Sequence, residues 1–290
     1  MPRKTLRRKS AHPRSASARP TIERLEARQL LSALPPSLFP TVVAEPTPQN
    51  DPLGTLPTIP GNWNLSFDDE FDGTSLNAPW RPVQTYSANA TAPPGELETY
   101  TAAGVSVNQG ILRLTAQKQP TNGRAYLSGL VQAGGEVGAT SPSFSFLYGY
   151  TEVRAKIPAG KGFWPAIWML PASYQDRQGE IDILETYGGN TSNPFFTVHR
   201  LGTTQQFSMN GVDLSQGYHT YAVDWEPDHI TWYIDGQAVA TTTQTSLIPT
   251  QPMYPLMNLA VGGLGGKPAA NTKFPMEMDV DYVRIWQHAP

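Results

Sequence analysis

Residues 218–236, YHTYAVDWEPDHITWYIDG, carry the pattern that decides the fold. From His219 to Trp225 every second residue is large, and the same spacing resumes from Ile230 to Ile234 after a Glu-Pro-Asp turn. A period of two sends successive side chains to opposite faces, which is typical of β-strands. Asp235-Gly236 is a turn signal that ends the second strand. The stretch therefore predicts two consecutive β-hairpins.

The same period of two recurs elsewhere in the chain. Leu112–Leu114, Tyr150–Ile157 and Val280–Trp286 all alternate in this way. No segment keeps apolar residues at a helical period of 3.6 over three turns. The sequence therefore predicts an all-β sandwich.

Charge is unevenly distributed over the 290 residues, which include no cysteine and carry a formal net charge of −3. Residues 1–28 hold nine of the 21 Lys and Arg residues but two of the 24 acidic residues. The remainder is acidic, which is unfavourable for nucleic-acid binding. The lack of cysteine excludes disulfides and thiolate chemistry. The longest weakly polar run, residues 256–266, is too short to span a membrane as a helix.

The basic residues lie in a separate N-terminal segment, residues 1–33. Its core, residues 22–32 (IERLEARQLLS), resembles an N-terminal signature of exported or surface proteins in some bacteria, although the apolar run is too short for an ordinary signal peptide. A disordered basic tail that touches acidic surfaces is the alternative. Residues 34–60 are rich in Pro and Thr and predict a linker, and residues 61–290 are the predicted folded domain. We expect an exported bacterial protein, either extracellular or at the cell surface.

Three carboxylates are concentrated in the hexapeptide Glu180-Ile181-Asp182-Ile183-Leu184-Glu185. In a strand, Glu180 and Asp182 share a face and Glu185 is out of phase with them. One β-bulge near Ile183 or Leu184 would restore the phase and bring Glu185 to the same face. The Cα atoms of the two glutamates would then lie about 13 Å apart. Inward-leaning side chains could approach the roughly 5 to 5.5 Å carboxyl separation of a retaining glycosidase, so the hexapeptide indicates glycosidic bond cleavage.

The domain resembles glycoside hydrolase family 16 nearly from end to end. The resemblance rests on ordered blocks of sequence at Asp69–Gly73, Tyr148–Lys156, Trp164–Leu170, Gly179–Glu185, His219–Trp225, Tyr233–Gly236, Asn258–Gly263 and Asp281–Arg284. Members of this family are concave β-jelly rolls of the concanavalin A-like type, with two antiparallel sheets and a cleft that binds a polysaccharide chain. The resemblance implies that fold here, and a polysaccharide as the partner.

The resemblance also implies roles for the three carboxylates. Glu180 would be the nucleophile, Glu185 the general acid and then the base, and Asp182 the residue that tunes the nucleophile. Three carboxylates in one groove cannot all ionise easily, so the pKa of at least one should rise enough to hold a proton. The alternative is a solvated acidic strand face with no chemical role.

Two tryptophans are candidates for stacking on sugar rings. In a strand Trp164 and Trp168 share one face, while Phe163, Ile167 and Met169 face the core. Burial without a role in the cleft is the alternative, because large aromatic residues are commonly buried.

Five further residues are weaker candidates for substrate contacts. The resemblance places His199 at a position where the family often has a cleft histidine, although a structural histidine is the alternative. Asn258 matches a position that hydrogen-bonds sugar hydroxyls in relatives. Arg154 and Tyr187 could bind substrate or only support the site, and Glu98 is the weakest of the five.

The resemblance implies a structural calcium ion on the convex side but no cofactor for catalysis. Gly110 and Asp281, with Glu70 nearby, match the expected positions, and oxygen ligands suit calcium. Asp281 could instead cap a turn. Transition-metal catalysis is not expected, because the five histidines are scattered and no His-Glu-x-x-His motif occurs.

One departure from the family bears on the substrate. Relatives that act on β-1,3-glucan commonly have a tryptophan and Pro-Gly after the block at Asn258–Gly263, where this chain has Leu264-Gly265-Gly266-Lys267. The six-residue spacing from Glu180 to Glu185 still resembles the laminarinase and galactan-active branches. We predict a monomeric, endo-acting, retaining glycosidase that cleaves β-1,3- or mixed β-1,3-1,4-glucan. The alternatives are a galactan hydrolase, a transglycosylase or a non-catalytic polysaccharide-binding lectin, although a lectin has no need of both glutamates.

Overall fold

The computed structural model describes residues 57, 59–82, 95–134, 144–172 and 179–289. The predicted N-terminal segment 1–33 and nearly all of the linker 34–60 lie outside these residues. The strands are β1 (Trp63–Asp69), β2 (Glu98–Tyr100), β3 (Val105–Asn108), β4 (Ile111–Ala116), β5 (Tyr126–Ser128), β6 (Leu130–Gln132), β7 (Gly149–Lys156), β8 (Phe163–Pro171), β9 (Glu180–Tyr187), β10 (Asn190–Arg200), β11 (Thr203–Ser208), β12 (His219–Trp225), β13 (Ile230–Ile234), β14 (Gln237–Thr242), β15 (Met253–Val261) and β16 (Met276–His288). Short 3-10 helices span Ala102–Gly104, Thr245–Leu247 and Gly263–Gly265.

The strands form two large antiparallel sheets. The larger sheet has the order β14-β13-β12-β7-β16-β4-β3, with β1 also paired to β16. The second sheet has the order β11-β10-β9-β8-β15-β6. Strands β2 and β5 form a separate parallel pair, which the strand patterns did not predict. The all-β sandwich of two antiparallel sheets is confirmed.

Both predicted hairpins are present. Strand β12 pairs with β13, and β13 pairs with β14 across the Asp235-Gly236 turn. Asp235 and Gly236 have φ angles of 49° and 72°. Two consecutive positive φ angles match the twist of the flanking strands, and Asp-Gly is among the sequences that adopt them most easily.

The hydrophobic core is shared by the two large sheets. In β8, Phe163, Ile167 and Met169 are fully buried in it, whereas Trp164 and Trp168 on the opposite face are only partly buried. The predicted facing of β8 is therefore confirmed. From the larger sheet, Trp232 reaches across and donates its indole N–H to the backbone carbonyl of Asp182 at 2.9 Å. This bond fixes the middle of β9, the strand that carries the acidic hexapeptide.

No helix within the described ranges is long and apolar enough to cross a membrane.

Candidate active site

Strand β9 contains the predicted bulge. On β8, Ile167 pairs with Leu184 and its neighbour Trp168 pairs with Asp182, so Ile183 has no partner there. On β10 the register also shifts by one residue between Glu185 and Asp182. Ile183 and Leu184 are both fully buried in the core. An extra inward-facing residue therefore returns Glu185 to the face that carries Glu180 and Asp182.

The three carboxylates line one cavity of about 410 Å³ on the six-stranded sheet. Its other lining residues are Glu96, Tyr100, Trp164, Ala166, Trp168, Leu170, Gly179 and Asn258. Asp182 is the most deeply buried of the three acids, at 3% exposure. A cavity with convergent carboxylates and partly exposed tryptophans suits a polar ligand with an apolar face, such as a sugar.

Burial raises the pKa of all three carboxyl groups. The pKa of Glu180 lies well above its usual range because of burial and the nearby charge of Asp182. The pKa of Asp182 is raised strongly by burial and by the charge of Glu185. Burial also raises the pKa of Glu185, while the hydrogen bond from Trp164 opposes that shift. The raised pKa values favour the protonated forms in this site, as expected where one group acts as a general acid.

His199 lies opposite Glu180 on β10 and faces the carboxylates. Its Nε2 is 3.2 Å from Oδ2 of Asp182, and its Nδ1 is 2.7 Å from Oγ1 of Thr204. Glu180, Asp182 and His199 each offer one ligand atom within 4.8 Å of the others, so among the described residues this group could hold a metal ion.

Both tryptophans donate hydrogen bonds to polar residues that line the cavity. Trp164 donates its indole N–H to Oε1 of Glu185 at 3.0 Å. Trp168 donates to Oδ1 of Asn258 at 2.8 Å, and the amide nitrogen of Asn258 donates to the hydroxyl of Tyr100 at 3.0 Å. Asn258 therefore lies in the cavity, but its amide is already bonded on both sides.

Three weaker candidates do not line the cavity. Arg154 belongs to β7 in the other large sheet, where its guanidinium binds the Asp281 carboxylate and covers the Tyr218 ring. Tyr187 follows Glu185 by two residues, and its ring packs against Phe195 with a centroid separation of 4.9 Å. The prediction of a substrate contact for Arg154 is therefore wrong, because the outward face of β7 lies on the sheet without the cavity.

Glu98 is fully buried and bonds to the backbone. One of its oxygens accepts the N–H groups of Val261 and Leu97, at 2.9 and 3.1 Å. Its neighbour Glu96 lines the cavity in its place and was missed. A signal was present, because Glu96, Glu98 and Tyr100 alternate along an extended segment and share one face.

Two of the residues suggested for a structural calcium ion have side chains in ion pairs. The Glu70 carboxylate accepts a 2.7 Å hydrogen bond from Nε of Arg284, and the Asp281 carboxylate is bonded to Arg154. Gly110 has a φ of 72° before β4. A guanidinium group compensates each of the two carboxylates, and a structural calcium ion at these positions stays a prediction.

A β-sandwich with two glutamates and an aspartate in a tryptophan-lined cleft defines a glycosidase. The sequence profile of the family described as Glycosyl hydrolases family 16 matches residues 97–284. The chain belongs to glycoside hydrolase family 16. Enzymes of this family need no cofactor for catalysis.

Relatives and solved structures agree with this assignment. The chain is 32% identical over 253 residues to a beta-glucanase of Rhodothermus marinus, covering 78% of this chain and 86% of that protein. It is 35% identical over 216 residues to endo-1,3-1,4-beta-glycanase EglC of Rhizobium meliloti (strain 1021), covering 71% of this chain but 42% of that protein. The laminarinase catalytic domain of Thermotoga maritima MSB8 superposes with a TM-score of 0.71 at 28% identity, covering 79% of this chain and all of that one. The jelly-roll fold is thereby confirmed.

Proposed function

We propose that this protein is an endo-acting, retaining glycosidase that cleaves β-1,3- or mixed β-1,3-1,4-glucan. The observation that carries the proposal is the bulge in β9, which brings Glu180, Asp182 and Glu185 to the floor of one cavity. The substrate class follows from relatives that are named for β-glucan cleavage. We also propose that the protein acts as a monomer.

In the first chemical step, a carboxylate oxygen of Glu180 attacks the anomeric carbon of the sugar. The bond from that carbon to the glycosidic oxygen breaks, and Glu185 gives its proton to the departing oxygen. The raised pKa of Glu185 favours the protonated form that this step requires. The product of the step is a covalent glycosyl-enzyme.

In the second step, Glu185 is a carboxylate and removes a proton from water. The water oxygen attacks the anomeric carbon, the bond to Glu180 breaks, and the sugar leaves with its original configuration. The reaction needs the form of this coupled pair in which Asp182 holds the shared proton, whereas the hydrogen bond between the two carboxyl groups raises the pKa of Glu180 and lowers that of Asp182. In the form that the reaction needs, Glu180 is ionised for the attack.

The experiment that tests this function measures new reducing ends and product sizes. The protein is incubated with laminarin, lichenan, agarose and carrageenan, and the anomer formed first is followed by proton NMR. We expect mixed oligosaccharides from laminarin or lichenan, with the β anomer formed first. Cleavage of agarose or carrageenan instead would support a galactan hydrolase. Binding to a polymer without new reducing ends would support a lectin, and longer products a transglycosylase.

We also propose that the basic N-terminal segment directs export. The support is its charge, with nine Lys and Arg residues in residues 1–28, and the resemblance of residues 22–32 to an export signature. A polysaccharide substrate outside the cell would require such a route.

A further inference from the structure

A second pair of carboxyl groups, Glu96 and Glu98, lies beside the cavity at the end of β15, and Glu96 is part of the cavity lining. Glu96, Glu98 and Tyr100 share one face of an extended segment. Glu96 forms an antiparallel bridge with Gly262, just beyond β15, and this bridge brings the segment to the cleft. The mechanism proposed above does not use these residues.

The two glutamates are almost completely enclosed. Glu96 is 7% exposed and Glu98 is fully buried. Oε2 of Glu96 and Oε1 of Glu98 are buried and, within the described residues, neither has a fixed hydrogen-bond donor. The two side chains are within hydrogen-bonding reach of each other. A single proton shared between them satisfies both oxygens, whereas two buried carboxylates would repel each other.

The hydrogen bonds and burial of the pair place the shared proton on Glu96. Oε2 of Glu98 already accepts two backbone N–H groups, whereas Oε2 of Glu96 has no donor within the described residues. Burial and the hydrogen bond and charge of Glu98 raise the pKa of Glu96 to about 9, although Arg124 and the Tyr100 hydroxyl act in the opposite direction. Arg124 donates to the backbone carbonyl of Glu96. Across the cavity, the other facing ionisable groups are Glu180, Asp182 and Glu185.

A chain of hydrogen bonds connects Glu96 to the substrate side of the cavity. The Tyr100 hydroxyl donates to Glu96 and accepts from the Asn258 amide at 3.0 Å, and Asn258 in turn accepts from Trp168 at 2.8 Å. Glu96 also borders the other tryptophan. A Cβ placed on Gly263 would lie 2.8 Å from the Trp164 ring and 3.3 Å from Cγ of Glu96, so only glycine lets both approach.

We propose that Glu96 is a positioning residue of the sugar-binding cleft that works as a protonated carboxyl group. It donates to Glu98 and accepts from Tyr100, and this bridge sets the orientation of the Asn258 amide and the Trp168 ring against a bound glucan. Loss of the proton leaves two carboxylates in contact, and their repulsion disturbs the wall. The sugar-binding part of this inference rests on the proposed glucan substrate, whereas the protonation of Glu96 does not.

Binding of a β-1,3-glucan hexasaccharide tests the proposal. It is measured by calorimetry between pH 6 and 10.5 on full-length Glu180→Gln protein, so that the sugar is not cleaved. In this background we expect the affinity to fall by about tenfold per pH unit above the pKa of Glu96. Adding Glu96→Gln, which keeps a donor and an acceptor but cannot ionise, should abolish the alkaline loss, so that the affinity of this variant is the same at pH 7 and pH 10. Adding Glu277→Gln on the exposed part of β16 is the control and should retain that loss.

Carbon-13 NMR of the side-chain carboxyl groups tests the proton without any sugar. The resonance missing from Glu96→Gln should titrate near pH 9, and a midpoint below pH 6 would overturn the proposal. The same alkaline loss of affinity with and without Glu96→Gln would also overturn it. If no variant binds the hexasaccharide at any pH, the glucan assignment fails, and the NMR titration still decides the state of Glu96.

Discussion

The indole Nε1 of Trp164 donates a hydrogen bond of 3.0 Å to Oε1 of Glu185. Trp164 lies on β8, two residues from Ala166, the residue that pairs with Glu185 across the two strands. The proposed general acid is therefore held by a side chain from the neighbouring strand. The bond stabilises the carboxylate and so lowers the pKa of Glu185 against the larger effect of burial.

Trp164→Phe should move the high-pH limb of kcat/KM to higher pH. Without the indole donor the pKa of Glu185 rises further, so the acid keeps its proton at higher pH. We expect the maximal rate to fall by about tenfold because the carboxyl group loses its fixed orientation. Trp168→Phe also removes an indole N–H but one that binds Asn258, and it should leave this limb in place. A high-pH limb unchanged by Trp164→Phe would contradict the assignment of Glu185.

Replacement of either glutamate by glutamine should abolish turnover. Glu180→Gln and Glu185→Gln are each expected to lower kcat by at least about 10³-fold, because one removes the nucleophile and the other the proton donor. Glucan binding and the thermal unfolding midpoint should remain close to those of the parent protein. Glu277→Gln, on the exposed part of β16, is the matched control and should retain full activity. Normal turnover in either active-site variant would show that the roles are assigned to the wrong residues.

His199→Gln should move the low-pH limb of kcat/KM to higher pH. Protonated His199 lowers the pKa of Glu180, so without it the nucleophile ionises only at higher pH. The expected displacement is about half a unit to one unit. His229→Gln removes a histidine from the other large sheet, and its profile should match that of the parent protein. A shift to lower pH in His199→Gln would rule out this electrostatic role.

The role of the bulge can be tested by deleting either one or two residues from it. Without Ile183 the strand alternates regularly from Asp182 to Leu184 to Glu185, so Glu185 stays in the cleft. We expect residual hydrolysis, with stability lowered by about 2–5 kcal/mol for the lost buried side chain. Deletion of both Ile183 and Leu184 turns Glu185 towards the core and should abolish activity and folding.

Reducing-end assays and circular dichroism melts distinguish the two deletions. Ile183→Ala, which removes the side chain but keeps the bulge, is the reference for stability. Equal activity in the two deletion variants would mean that strand parity does not determine where Glu185 points.

Deletion of residues 1–33 should block export without affecting catalysis. All the described strands lie after this segment, so the purified variant should hydrolyse glucan at the parent rate. In the producing cell, the activity should move from the medium or cell surface into the cell interior, as measured by assays of the separated fractions. Unchanged secretion would reject the export role of the segment.

The alternation of side chains along a single strand was sufficient to predict several features of the fold and the site. The exposed and buried faces of β8, the hairpins around Asp235-Gly236 and the bulge in β9 all follow from which neighbours share a face. The acids themselves revealed the bulge, because Glu185 could join Glu180 only through an extra residue. Each of these conclusions needs no knowledge of distant partners.

The features that were missed depend on contacts between distant segments. Arg154 alternates correctly along β7, but only the sheet order places β7 away from the cavity. Glu96 reaches the cleft through its bridge to Gly262, which is 166 positions later in the chain. The ion pairs of Glu70 with Arg284 and of Asp281 with Arg154 likewise join residues that are distant in sequence.

Glu180 and Glu185 lie on one strand that is hydrogen-bonded to β8 and β10 along both edges, whereas the tryptophans and Asn258 belong to other strands. The distance between the two reacting glutamates is therefore set within one continuous strand. The position of the sugar-binding side chains depends on how β8 and β15 pair with their neighbours. As temperature rises, we expect relative movement of the strands to displace the sugar-binding side chains before it changes the distance between Glu180 and Glu185. Warming this enzyme should therefore erode substrate affinity earlier than it erodes the rate of the bound complex.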